Sequence, residues 1–328
     1  MANRISRRTA LGAFAGSLVA SYIPPVRADE KLRVGKAVVE NIGFLPLDVG
    51  IEAGIFQRQG LTIEALDFAG GAKIAQAMAA GAVDISLSAG PDMAFVAKGA
   101  PEIAVGAITE SPAFMAFCVG AQSIAHSSND LKGKKIGITS PGSLTEWLVN
   151  ELNRVKGWND DGDRMVKVAI GGATPTAIAA LKTGQVDATI SARQVGYLFE
   201  ERQAGRLLFD AAEYVRAIEM NTIFASTTLA QRNPDAVRHF LKGWYESVAF
   251  MKSHKAESVV IGARVMGDPP AVVARAYDSL MEKFSINGHF NPDAVKTLIS
   301  SFVQLKTVTE PVDTTKLYTE EFLPKTGA

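Results

Sequence analysis

Two doubly wound α/β lobes with a helical C-terminal tail are the fold this sequence predicts, on three observations. A loop, helix and strand unit occurs twice: Gly70-Gly71-Ala72 leads into Gly81-Ala82-Val83-Asp84-Ile85-Ser86-Leu87-Ser88, and Gly171-Gly172-Ala173 into Gly184-Gln185-Val186-Asp187-Ala188-Thr189-Ile190-Ser191. Around each copy, short apolar strands alternate with helical stretches of roughly ten residues, the pattern of βαβ units and a largely parallel sheet. From Asn233 onward the pattern is helical. At 328 residues and 47% hydrophobic, the chain is long enough for two cores.

Residues 1–28 read as a leader. Ser6-Arg7-Arg8-Thr9-Ala10-Leu11 matches the twin-arginine export pattern, with Ala10 where a Phe is usual, and a weakly apolar stretch ends at Val26-Arg27-Ala28, which offers a signal peptidase small residues. An uncleaved anchor would need ~20 apolar residues without the Gly and Pro found here. Cleavage near Ala28 and a periplasmic location are therefore expected.

Lys31-Leu32-Arg33-Val34-Gly35 alternates as the first strand. Leu45-Pro46-Leu47 opens a helix with Val49, Ala53 and Ile55 inward, closing at Gly60, and residues 61–66 form the second strand. In the first repeat copy Ile74, Ala77 and Met78 share a helix face that Gly81 stops; in the second, Thr174 and Pro175 are expected as N-cap and first helical residue, with Gly184 as the stop. Pro91 starts a helix, and residues 102–107 form a strand. Residues 113–119 are a strand with no crossover helix before it, which marks a passage between lobes; residues 218–224 read as the passage back. Residues 132–138 begin the second lobe. Ser143 and Glu146 have capping-box spacing for a helix whose apolar face holds Leu144, Trp147, Leu148 and Val155. Residues 165–169 and 207–209 are further strands. Asn233-Pro234, Asp268-Pro269 and Asn291-Pro292 are helix starts of the Pro-at-N1 type, and Val237, Phe240, Leu241, Trp244, Val248 and Met251 make a packing stripe. The resulting division is a first lobe of residues 29–112 plus 220–328 and a second of 113–219.

Charge excludes one partner class. Basic and acidic residues number 34 each, and loss of the four leader arginines leaves 30 against 34, so nothing speaks for nucleic acid. Cys118, the one cysteine, sits between Phe117 and Val119 as a small buried hydrophobe, with no disulfide partner. G-x-S-x-G, H-E-x-x-H, Walker, G-x-G-x-x-G and C-x-x-C patterns are absent, and His126, His239, His254 and His289 lack ligand spacing. The expectation is a non-enzyme without metal or cofactor.

Open α/β sheets bind ligands at the carboxyl ends of their strands, and Ser88 and Ser191 end equivalent strands. The strongest candidate is the turn holding Thr139, Ser140, Gly142, Ser143 and Thr145, where a strand end meets a helix N-terminus; free N–H groups, the helix dipole and hydroxyls there suit a carboxylate or sulfonate. Capping by Ser143 coexists with this. Arg193 either pairs with an anionic ligand or makes a surface or hinge salt bridge, and the sequence leaves both open. Asn41, Ser88 and Asn221 are short polar side chains at the first lobe's strand ends. Asp84 and Asp187, placed before strands, point to turn and hinge hydrogen bonding. Phe44, Phe114 and Tyr197 either line a pocket for an aromatic carboxylate or belong to the core.

These residues resemble the periplasmic solute-binding proteins of the nitrate, sulfonate and taurine class of ABC importers, a group that includes binders of a thiamine pyrimidine precursor. The marks are Leu45-Pro46 with Glu52-Ala53-Gly54-Ile55-Phe56 and Gly60-Leu61, Gly81-Ala82-Val83-Asp84, Asp130-Leu131-Lys132-Gly133-Lys134-Lys135-Ile136-Gly137, Pro141-Gly142-Ser143 and Gly184-Gln185-Val186-Asp187-Ala188. They cover nearly all of the chain after the leader and are specific for the class, not for a substrate. The resemblance implies a type II periplasmic-binding-protein fold: two α/β lobes, joined by two crossing segments, that close on a ligand. It places cleft loops at residues 41–44 (Asn41 to Phe44), Gly70 and Gly71, residues 88–90 (Ser88, Ala89 and Gly90), residues 140–145, Thr174 and Arg193. It implies a monomeric receptor that passes a small polar molecule, an organic anion such as a sulfonate or carboxylate, to an inner-membrane ABC permease. The alternatives are a cleft enzyme, a lyase or a pyrimidine-related one, and a receptor for a sensor or another transporter type. Cys118 alone does not match the cysteine cluster of the related pyrimidine-synthesising enzymes.

Overall fold

A computed structural model describes residues 30–68, 70–308 and 311–325; the expected leader and its cleavage site lie outside them. The described chain builds two five-stranded sheets on one plan. The first contains β1 (Glu30–Lys36), β2 (Leu61–Asp67), β3 (Ile85–Ala89), β4 (Glu102–Thr109) and a late strand, β10 (Asn221–Ser226), in the order β2-β1-β3-β10-β4. The second contains β5 (Met115–Gly120), β6 (Lys135–Ile138), β7 (Val166–Ala169), β8 (Ala188–Ala192) and β9 (Gly205–Asp210), in the order β7-β6-β8-β5-β9.

Each sheet is largely parallel, with one strand reversed. β1 runs parallel to β2 and β3, but β10 is antiparallel to both β3 and β4; likewise β6 is parallel to β7 and β8 while β5 is antiparallel to β8 and β9. The reason is connectivity: the strand that enters each sheet from the other one needs no crossover helix and slots in backwards. Residues 221–224, expected in the return passage, are therefore the start of β10.

Helices α1 (Leu45–Glu52), α2 (Ile55–Arg58), α3 (Gly71–Ala79) and α4 (Met93–Ala97) connect the first sheet; α5 (Leu144–Lys156), α6 (Thr174–Lys182) and α7 (Arg193–Glu201) connect the second. The helix read as running from residue 45 to Gly60 is broken into α1 and α2 at Gly54, whose φ of 65° is left-handed. The two repeat units are β1-α1-α2-β2-α3-β3 and β6-α5-β7-α6-β8. Their aspartates do the same work in each: Asp84 Oδ2 accepts from Arg33 N at 2.9 Å and Asp187 Oδ2 accepts from Lys135 N at 2.8 Å, tying each β3-type strand to its first-strand neighbour. α5 starts as expected at the Ser143 cap and buries Trp147, Leu148, Val149 and Leu152, but Val155, in the last turn before Gly157, is exposed.

The tail is helical: α8 (Thr227–Arg232), α9 (Pro234–Ser253), α10 (Lys255–Met266), α11 (Pro270–Leu280) and α12 (Pro292–Gln304). The α9 stripe from Val237 to Met251 is buried against α1 and α2, with Phe240 stacked on Phe56 at 5.3 Å. Asn233 and Asn291 cap α9 and α12, whereas Asp268 does not cap α11; its carboxyl turns toward the second sheet's α7. Cys118 is 0% exposed in a small cluster with Ala116, Ala177, Val195 and Phe199, and burial pushes its thiol up to about 12. No described helix is long and apolar enough to cross a membrane.

Candidate functional site

The carboxyl ends of the two sheets meet. Thr174 Oγ1, at the start of α6, donates to Glu40 Oε2 at 2.7 Å, and Ile42 N donates to Gln194 Oε1, in the first turn of α7, at 2.7 Å. Both bonds join loops that end strands of different sheets, so the strand ends of each sheet form one wall and the two walls touch at these points.

On the first wall Asn41 Oδ1 accepts from Gly43 N at 2.8 Å and holds a single 3-10 turn, Ile42–Phe44. Asn221 is buried beside that turn, opposite Ala89 at the end of β3. Phe44 is buried, as are Phe114 and Tyr197, which places all three in the core. Gly71 opens α3 and has a specific reason to be glycine: a Cβ there would lie 1.9 Å from Asp92 Oδ2. Ser88 Oγ donates to the same carboxyl. Burial pushes Asp92 up to about 6, against the lowering effect of the Ser88 hydroxyl and the Ala89 amide. A carboxyl group thus already occupies the N-terminus of α3, the place an anion would otherwise favour.

The second wall differs. Ser143 Oγ caps Glu146 N at 3.3 Å, donates to Ser140 O at 2.6 Å, and lies 2.8 Å from Thr145 Oγ1, which accepts from Thr139 N at 2.9 Å. Glu146 reaches back to Gly142 N at 2.7 Å and forward to Lys167 Nζ at 2.8 Å, so the capping-box carboxylate is diverted. The lysine and the Gly142 amide hold its pKa below the ordinary carboxylate range against the opposing effect of burial. Trp147 N bonds to Ser143 O, which leaves the N–H groups of Leu144 and Thr145 as the first-turn donors without an intrahelical partner. Ser140 and Gly142 are exposed and Ser143 partly so.

Two expected ligand contacts are engaged with the protein itself. Thr174 is not an N-cap: Ala173 takes that place, and the Thr174 hydroxyl makes the Glu40 bond. Arg193 Nη1 pairs with Asp210 Oδ2 at 2.5 Å and its Nε donates to Tyr197 Oη at 2.8 Å, the salt-bridge alternative for this residue. The sequence does not single out Asp92, Glu40 or Gln194. Asp92 carried a faint signal, an acid two residues past Gly90 at a helix start; Gln194 carried none, because its partner is 152 positions away. Among the described residues no group of three His, Cys, Asp or Glu is placed to hold a metal ion.

A family model described as NMT1/THI5 like matches residues 41–258. The chain is 26% identical over 239 residues to a Haemophilus influenzae protein named for thiamine biosynthesis, covering 71% of this chain and 73% of that one. It is 24% identical over 225 residues to the 4-amino-5-hydroxymethyl-2-methylpyrimidine phosphate synthase of Candida albicans, covering 65% of each. Among solved structures it is similar to the periplasmic aliphatic sulphonate binding protein SsuA of Escherichia coli, with a TM-score of 0.74 at 20% identity over 88% of this chain and 92% of that one. The fold is the periplasmic-binding-protein fold.

Proposed function

This chain belongs to the NMT1/THI5-like family, and we propose that within it the protein is the exported receptor of an ABC importer, capturing one small polar molecule between its lobes. The observation that carries this reading is the pair of hydrogen bonds by which the polar strand ends of one sheet reach those of the other. A hinged pair of walls converts binding into closure, and closure is what a permease reads. The ligand must favour the closed form by several kcal/mol to shift the population.

The walls also narrow the ligand. The first presents carboxyl groups, Asp92 and Glu40, while the second presents hydroxyls and the free N–H groups of α5; Arg193 is already neutralised by Asp210. A molecule with hydrogen-bond donors at one end and an acceptor at the other satisfies both. A simple organic anion satisfies only the second. The buried, poorly ionising Cys118 thiol supports binding over a thiol-based reaction.

Thermal unfolding against sulfonates, carboxylates, nitrate, ureides and aminopyrimidines tests the reading. A ligand at ~100 times its dissociation constant adds ~2.7 kcal/mol, a rise of a few degrees for a protein of this size. One class should shift the melt without being consumed, and a donor-bearing heterocycle is the expected class. Consumption of a panel member would overturn the receptor in favour of an enzyme, the reading that the synthase relative supports.

A further inference from the structure

Gln194 follows Arg193 in the first turn of α7 and is 2% exposed. Its Oε1 accepts from Ile42 N at 2.7 Å, in the turn beside Asn41; its Nε2 lies 3.5 Å from Asp268 Oδ2 and 3.3 Å from Met266 Sδ, where α10 gives way to α11. One side chain thus ties a second-lobe helix to the first lobe's strand-end turn and to the tail. We infer that Gln194 is a latch: a positioning residue that touches no ligand but holds the two lobes closed, with the Thr174 to Glu40 bond as its counterpart. This rests on the receptor reading only in that closure is what captures a ligand.

The chemistry of the position fits no other residue type as well. Ile42 N–H is buried and needs an acceptor, while Asp268 and Met266 ask for a donor, and an amide offers both without charge. A glutamate would set a second carboxylate against Asp268, whose own carboxyl is already raised by burial and by the nearby Glu40. Opening hands both the amide and the Ile42 N–H to water. The latch is therefore weak enough to reverse, since a bond exchanged for water is worth roughly a factor of ten in the closed-to-open ratio. In the same α7 to α11 contact the Arg275 to Glu200 pair at 2.8 Å is solvent-facing and screened, whereas Arg275 also lies over the buried Tyr197 ring at 4.3 Å.

The test reads lobe separation directly. Spin labels at Gln76→Cys on α3 and Ala179→Cys on α6, both exposed, report the distance between lobes, and buried Cys118 stays unlabelled. In the protein with no ligand added, Gln194→Met, which keeps the length and removes the amide, is expected to raise the longer-distance population about tenfold over the parent. Thr174→Val should shift it in the same direction. An unchanged distribution in a Gln194→Met protein that still melts cooperatively overturns the latch. Should that variant not fold, Gln194→Asn, one carbon too short to reach Ile42 N–H, is read the same way. Because no ligand enters the measurement, failure of every panel compound would sink the receptor while leaving the latch standing, and an unmoved distance would do the reverse.

Discussion

Arg193 shows what a single residue's surroundings decide. Its guanidinium has an acceptor on each side, Asp210 and Tyr197, and both raise its pKa although burial opposes them. Removing it leaves Asp210 at the edge of β9 without its cation. Arg193→Ala is therefore expected to lower stability by about 1–2 kcal/mol, discounted for the partial exposure of both partners, while leaving the melt shift of a bound ligand in place. Loss of the shift with stability retained would instead return Arg193 to the ligand. The contrast with Asp92 is one of recurring pattern, not of sequence distance. Asp84 and Asp187 were legible because a carboxylate before a strand has few uses but to tie the strand's start, and the ties to Arg33 and Lys135 are that use. Asp92 draws its meaning from Ser88, close by in the chain, and from the distant Gly71, and Gln194 from the distant Ile42; neither pairing recurs in the second repeat copy to mark it.

At the scale of elements, α5 does two jobs with one terminus. Ser143 caps it, and the same hydroxyl holds the Ser140 to Thr145 turn in shape. Ser143→Ala should cost about 1 kcal/mol of stability, the usual worth of an N-cap, seen as a melt lowered by a few degrees. Ser143→Asp separates the jobs: aspartate caps as well as serine, so the melt should recover, but its charge repels an acceptor group brought to the Leu144 and Thr145 N–H groups. Recovered stability with weakened binding is the expected pair of results; recovered binding would mean that the ligand does not reach α5. The helices themselves were readable because Pro and Asn starts and Gly stops act locally, as at Asn233, Asn291, Gly157 and Gly184. β10 was not readable as a strand of the first sheet, since Asn221 to Ser226 takes its neighbours, β3 and β4, from residues more than a hundred positions earlier. Thr174 failed as a cap for the same reason: a local rule favoured the helix end, and a partner from the other lobe took the hydroxyl.

Three buried carboxyls bind the whole molecule to pH. Burial raises Asp92 to about 6, Glu102 to about 7 and Glu219 to about 8; a neighbouring Asp92 adds to Glu102, and Glu110 and Glu320 add to Glu219. Glu219 is 0% exposed on the passage back to the first sheet, with Oε1 accepting from Asn291 N at 3.1 Å and Oε2 without a partner among the described residues. A carboxyl raised in the folded state holds its proton there after the unfolded chain has lost its own. Stability therefore falls as pH climbs from the unfolded value through the folded one. The lowered groups, Asp130, Glu146 and Asp313, act in the opposite sense, and only at the acid end, below about 4.5 where unfolded carboxyls titrate. The two sets together predict a melting temperature that peaks near pH 5, falls most steeply up to about pH 6 and levels off above about pH 8, and Glu219→Gln, which cannot ionise, should remove the fall between about pH 7 and 8 while keeping the part below it that belongs to Asp92 and Glu102. Melts of the parent and of Glu219→Gln at unit steps from pH 4 to 9 decide it. A parent curve flat from 6 to 9 would show that Glu219 ionises without cost, and so that water or a cation reaches its free oxygen on the hinge.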